Sequence, residues 1–131
     1  MNEQLIAEAL SLTDLLRQNY DGLKAAFLDS FQASEAAGEA RRNLASAREE
    51  ILREHTDPKA LGANEAAREA RIAELTITER EFVTNAEREE RVARFTLDCW
   101  RMEVEESRAL LRLLEVQAGT VKPGVSSEVV L

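Results

Sequence analysis

From Leu5 to Leu52 apolar or small residues recur in alternating steps of three and four. Ile6, Ala9, Thr13, Leu16, Tyr20, Leu23, Phe27, Ser30, Ser34, Ala37, Leu44 and Ile51 follow this rhythm, with Arg41 and Arg48 intruding late. Such spacing is a heptad seam and predicts one helix over about residues 3–55. Gly22 and Gly38 fall inside it, each costing roughly 1 kcal/mol of helix propensity relative to alanine. The helix is expected to continue through both, with Asp21-Gly22 as the place for a bend.

The pattern stops at His55-Thr56-Asp57-Pro58-Lys59-Ala60-Leu61-Gly62-Ala63-Asn64. Asp57 can cap a short turn begun by Pro58, Gly62 can end it, and Asn64 offers a side-chain oxygen to the free amides of a second helix, with Glu65 near its positive end. That helix should span about residues 64–118 and end before Gly119. Two segments of nearly equal length, roughly 80 Å each at 1.5 Å per residue, joined by a turn over 56–63, imply an all-α fold, a long antiparallel, coiled-coil-like hairpin forming one domain over 1–118.

In the second segment Thr78 and Glu81 spell a capping box, and Ile77 and Phe82 have the spacing of a hydrophobic staple, so a break is expected near Thr78. Beyond it the seam reads Val92, Phe95, Cys99, Met102, Glu106, Ala109, Leu113 and Val116, a register that does not reach back to Leu75 and Phe82 and so implies a phase shift. Glu106 stands on this expected core seam, where it would pair with an arginine, specify the register or mark a wet stretch. Residues 119–131 read as a flexible tail, whose Val129, Val130 and Leu131 are a candidate docking segment beside the simpler reading of a frayed terminus.

If position i faces about 120 − i, the two ends of the hairpin differ. Near the termini, Leu5, Leu12, Leu15, Phe27, Leu28 and Phe31 on the first helix widen the apolar stripe beyond a two-helix seam. Leu97, Trp100, Val104, Leu111 and Leu114 do the same on the second. A pair of helices hides little more than a narrow seam, so this belt is the expected oligomer or partner interface. Another copy is the leading occupant, ahead of a fold-back of the first helix or a different protein. The stretch from about Ser34 to Arg94 is rich in alanine, glutamate and arginine and suits a solvated arm.

Charge and composition narrow the function. The chain of 131 residues carries 17 basic and 25 acidic side chains, a net charge of −8, which disfavours general attraction to nucleic acid or an anionic membrane. One cysteine, Cys99, allows no internal disulfide, and the absence of a signal-like start or a long apolar run leads to the expectation of a cytoplasmic, intracellular protein. His55 lies beside Glu54 and Asp57 without metal-ligand spacing, and Cys99 falls on the expected apolar seam as a packing residue. With no second histidine and no phosphate loop, neither a catalytic set nor a metal or cofactor site is expected. Glu103, Glu105 and Glu106 read as a solvated face. Arg94, Arg101 and Arg108, with Arg80 in the same column and Arg91 and Arg112 nearby, form a candidate phosphate-contacting stripe, against which stand the favourable pairs Glu87-Arg91 and Glu90-Arg94.

The tip Asp57-Pro58-Lys59-Ala60-Leu61-Gly62-Ala63-Asn64-Glu65-Ala66-Ala67-Arg68 resembles the turn of small helical-hairpin proteins encoded in bacteriophage and prophage early regions, often near recombination and single-strand-annealing genes. The resemblance implies a phage-type accessory protein without implying an activity. The expected function is therefore a non-enzymatic, oligomeric interaction protein linked to DNA replication or recombination. An acidic inhibitor mimicking nucleic acid and a nucleic-acid binder using the arginine stripe are the alternatives.

Overall fold

The computed structural model describes residues 3–55 and 57–119, with the backbone alone at Pro58. Among them the protein is all-α: α1 (Glu3–Glu54), a 3-10 turn (Pro58–Ala60), α2 (Glu65–Leu75) and α3 (Ile77–Gln117). It is a long antiparallel helical hairpin, with α2 and α3 returning against α1. Its contacts fall into two units. A terminal unit holds Met1–Leu28 and Arg94–Leu131, and a turn unit holds Asp29–Ala93. Val129, Val130 and Leu131 lie outside the described residues.

Local chemistry explains the turn. α1 contains no proline and ends where the His55 amide and its Nδ1 both donate to the Ile51 carbonyl, at 3.2 and 2.8 Å. Asp57 then holds the 3-10 turn, its carboxylate accepting the Lys59 amide and its carbonyl the Ala60 amide, both at 3.0 Å. Asn64 is extended (φ −140°, ψ 175°), and its side chain accepts the Ala67 amide at 2.8 Å, an N-cap for α2. Gly62 is needed for closeness: a Cβ there would sit 2.7 Å from the Ala67 Cβ and 2.8 Å from the Arg68 amide nitrogen. At the far end α3 is closed by Gly119, whose φ of +73° favours glycine.

In the terminal unit the buried or half-buried column of α1 is Leu5, Ala9, Leu12, Leu16, Asn19, Leu23 and Ala26. That of α3 is Leu97, Trp100, Val104, Ser107, Leu111 and Leu114. This corrects half of the seam expected from the sequence. Ala9, Leu16 and Leu23 keep their place, but Ile6, Tyr20 and Phe27 are exposed, and so are Phe95, Cys99, Met102, Glu106, Ala109 and Leu113. Glu106 is thus not a core carboxylate, and Cys99 is not a buried packing residue.

The reason lies in the length of the helix. A single supercoiled helix keeps one heptad column throughout. The column through Ile6, Tyr20 and Phe27 runs on into Arg41 and Arg48, whereas the one through Leu5, Leu12 and Asn19 runs on into Ala26, Ala33, Ala40 and Ala47. Only the second can be buried along its whole course.

In the turn unit that column meets Ile72, Thr76, Glu79, Val83, Ala86, Glu90 and Ala93, all buried or half-buried. Steps of four and three carry this seam without interruption from Ile72 to Leu114, so the expected phase shift does not occur. The boundary between α2 and α3 falls at Thr76 rather than Thr78. Thr76 is 2% exposed, and its hydroxyl and amide both donate to the Ile72 carbonyl, at 2.8 and 3.0 Å. The Arg80 amide donates to the Thr76 carbonyl at 2.9 Å, so the bonding ladder crosses the irregularity. Ile77 and Phe82 are 57% and 65% exposed and do not cover one another as a staple would.

Candidate functional site

Each unit is held in register by a different kind of polar contact. In the terminal unit the Asn19 amide donates to Ser107 Oγ at 2.7 Å and to the Glu103 carbonyl at 3.3 Å. Asn19 and Ser107 are both buried, so a slip of either helix would strand two polar groups away from water. One turn away Gly22 makes room for Trp100: a Cβ on Gly22 would lie 2.5 to 2.7 Å from three atoms of the indole ring. These contacts set Asn19 and Gly22 opposite residues a few positions further along α3 than the 120 − i rule gives.

The turn unit uses ion pairs. Arg41 donates to Glu87 at 2.9 and 3.3 Å and reaches Glu90 at 3.5 Å, and Arg48 bonds Glu69 at 2.5 Å. The hydrogen bond that Arg41 donates to Glu87 raises the Arg41 pKa above its ordinary value, with partial desolvation opposing it and the charges of Glu87 and Glu90 adding to it. Arg41 and Arg48, which interrupt the apolar pattern of α1, therefore serve as bridges across the pair. Glu87 is taken up by Arg41 in place of the expected Arg91.

The interface expected from the sequence is divided by the structure. Leu97, Val104 and Leu114 are buried in the terminal unit's own seam, while Leu5, Leu12, Trp100 and Leu111 are half-buried on it. They are committed to holding the helices together. Leu15, Phe27 and Leu28 in the terminal unit and Phe31 in the turn unit stay exposed, at 42, 59, 54 and 56%. A different set carries the largest apolar exposure of the terminal unit's α3: Phe95 at 70%, Met102 at 69% and Leu113 at 61%, with Cys99 and Ala109 between them. The signal for this set is visible in the sequence as the Phe95–Leu113 column. An apolar column at heptad spacing looks the same whether it is buried or left exposed.

The remaining candidates for chemistry are dispersed. Arg101 donates to Asp98 at 3.2 Å, and Arg94 and Arg108 are each engaged with neighbours. An alanine-floored groove in the turn unit runs beside Phe82, bordered by Glu39, Glu50 and Glu79. Among the described residues no three histidine, cysteine, aspartate or glutamate side chains converge as a metal site would require. No described helix is long and apolar enough to cross a membrane. Comparisons with protein-family models, with curated proteins and with solved structures give no match.

Proposed function

We propose that the protein is a non-enzymatic, self-associating helical-hairpin interaction protein, of the phage-encoded accessory type that its tip sequence resembles and linked to DNA replication or recombination. The observation that carries this reading is the imbalance of its apolar surface. Sixteen large hydrophobic side chains are exposed among the described residues, against seven buried hydrophobic residues, two of them alanines. Soluble monomers rarely leave so much apolar surface to water, and a second copy is the commonest cover. Pairing of Arg101 with Asp98, and engagement of Arg94 and Arg108, favours this role over that of a stripe gripping phosphates. The arginines that bridge Glu69, Glu87 and Glu90 likewise interrupt the anionic face that a nucleic-acid mimic would need.

Light scattering coupled to size exclusion, over a range of concentrations, tests self-association. A mass of two chains or more is expected. A mass of one chain at every concentration would overturn the proposal.

A further inference from the structure

The outer column of α3 in the terminal unit is a second heptad seam. Phe95, Cys99, Met102, Glu106, Ala109 and Leu113 follow steps of four and three, as do the inward residues Leu97 to Leu114, and at 100° per residue the two columns lie roughly 150° apart on one helix. α3 is thus built to pack on two sides, with α1 filling only one.

We infer that the outer column pairs with the same column of a second copy in antiparallel fashion. The pairing rests on the self-association proposed above and assigns it a face and a direction. Size fits: Phe95, Met102, Leu113 and Leu110 are exposed by 42 to 70%. Even at about 150–250 Å² for a large side chain, these four expose at most roughly 360–600 Å², so Cys99, Ala109 and the polar flanks supply the rest of the ~800 Å² that each partner gives to a stable interface.

Charge selects the direction. A parallel pair would set Glu106 against Glu106 inside the seam and bring Asp98 of one copy beside Glu103 of the other. An antiparallel pair with Phe95 opposite Leu113 removes Glu106 from its own copy, sets it beside Met102, and brings Asp98 to Arg112 twice, once on each side of the two-fold axis. Arg112 is half-buried, so part of its side chain remains open to a carboxylate from a second copy. Asp98 already accepts from Arg101, and a carboxylate has room for a further donor. The Glu105 side chains approach each other across the axis on one rim and the Glu103 side chains on the other, both at the solvated edge, where salt screens their repulsion.

In this register Cys99 faces Ala109 of the other copy, close enough for a disulfide, whereas Cys99 lies about ten residues from its own counterpart. The full-length Ala109→Cys variant, treated with diamide as the oxidant, is expected to give a covalent dimer on a non-reducing gel. Wild-type protein treated in the same way stays monomeric on that gel. Separately, Phe95→Asp with Met102→Glu should halve the solution mass without loss of helicity by circular dichroism, since both side chains are already open to water. Asp98→Arg should weaken association at least tenfold, and adding Arg112→Asp should restore it.

A wild-type disulfide dimer would overturn the antiparallel direction. A wild-type dimer that survives the Phe95→Asp, Met102→Glu change would overturn this face while leaving self-association intact. A wild-type monomer would remove both.

Discussion

The terminal and turn units share one heptad seam but fill it with different side chains. In the terminal unit, leucines at 5, 12, 16, 23, 97, 111 and 114 share the seam with Trp100, and a buried amide-hydroxyl contact fixes the register. In the turn unit, alanines at 33, 37, 40, 47, 86 and 93 dominate, and arginine-glutamate bridges span the pair. Large side chains remove more apolar area from water, at about 25 cal/mol per Å², so packing should dominate the stability of the first unit. Small ones let helices approach but bury little, which leaves the second unit more dependent on its turn and its charges. Ion pairs as open to solvent as these are weak. Two parts of one hairpin can therefore share a geometry while differing in how firmly it is enforced.

The difference can be broken most forcefully at Trp100. Trp100→Ala should cost about 3 kcal/mol, at the lower end for a large aromatic because the ring is only half-buried, and should loosen amide hydrogen exchange in the terminal unit first. Gly62→Ala strikes the turn unit at its tip, where the new Cβ meets the backbone of Ala67 and Arg68. A loss of roughly 1–3 kcal/mol is expected in urea unfolding at fixed protein concentration, with exchange faster around α2.

Gly22→Ala gains about 1 kcal/mol of helix propensity yet should still destabilise, because Trp100 must move. The sign should reverse in a Trp100→Leu background, and an unchanged sign there would refute the packing explanation. Asn19→Ala, which leaves Ser107 without its partner, should cost on the order of 1 kcal/mol, whereas Asn19→Leu with Ser107→Ala should be close to neutral in thermal unfolding.

The smallest effects belong to the bridges. Arg48→Ala should cost under about 1 kcal/mol, and the loss should vanish at high salt. The Arg41 contribution is present below the guanidinium's unfolded pKa and lost only as pH rises through its higher folded value. Titration across neutrality should leave the Arg41→Ala difference unchanged, while added salt should erase it.

What could be read from the chain was local. Asn64 caps α2, Asp57 holds a turn beginning at Pro58, and Gly119 ends α3, because each job needs a particular side chain or its absence at one position. Choosing between apolar columns was harder. Near the N-terminus the column of Ile6, Tyr20 and Phe27 is as apolar as that of Leu5, Leu12 and Asn19, and Asn19 argues locally for the wrong choice. The contact that makes Asn19 acceptable, Ser107, lies 88 residues away.

The sequence by itself determined that the chain is helical, where it turns and how its helices begin and end, since these depend on propensity, caps and spacing within a few residues. Tertiary structure alone decided which face of each helix is core. That outcome was set by whether a column stays small or apolar through Ala26, Ala33, Ala40 and Ala47, by the space Gly22 leaves for Trp100, and by the Asn19-Ser107 contact. The same decision turned Phe95, Met102 and Leu113 from expected core into exposed surface, because a helix with two apolar columns can bury only one against a single partner.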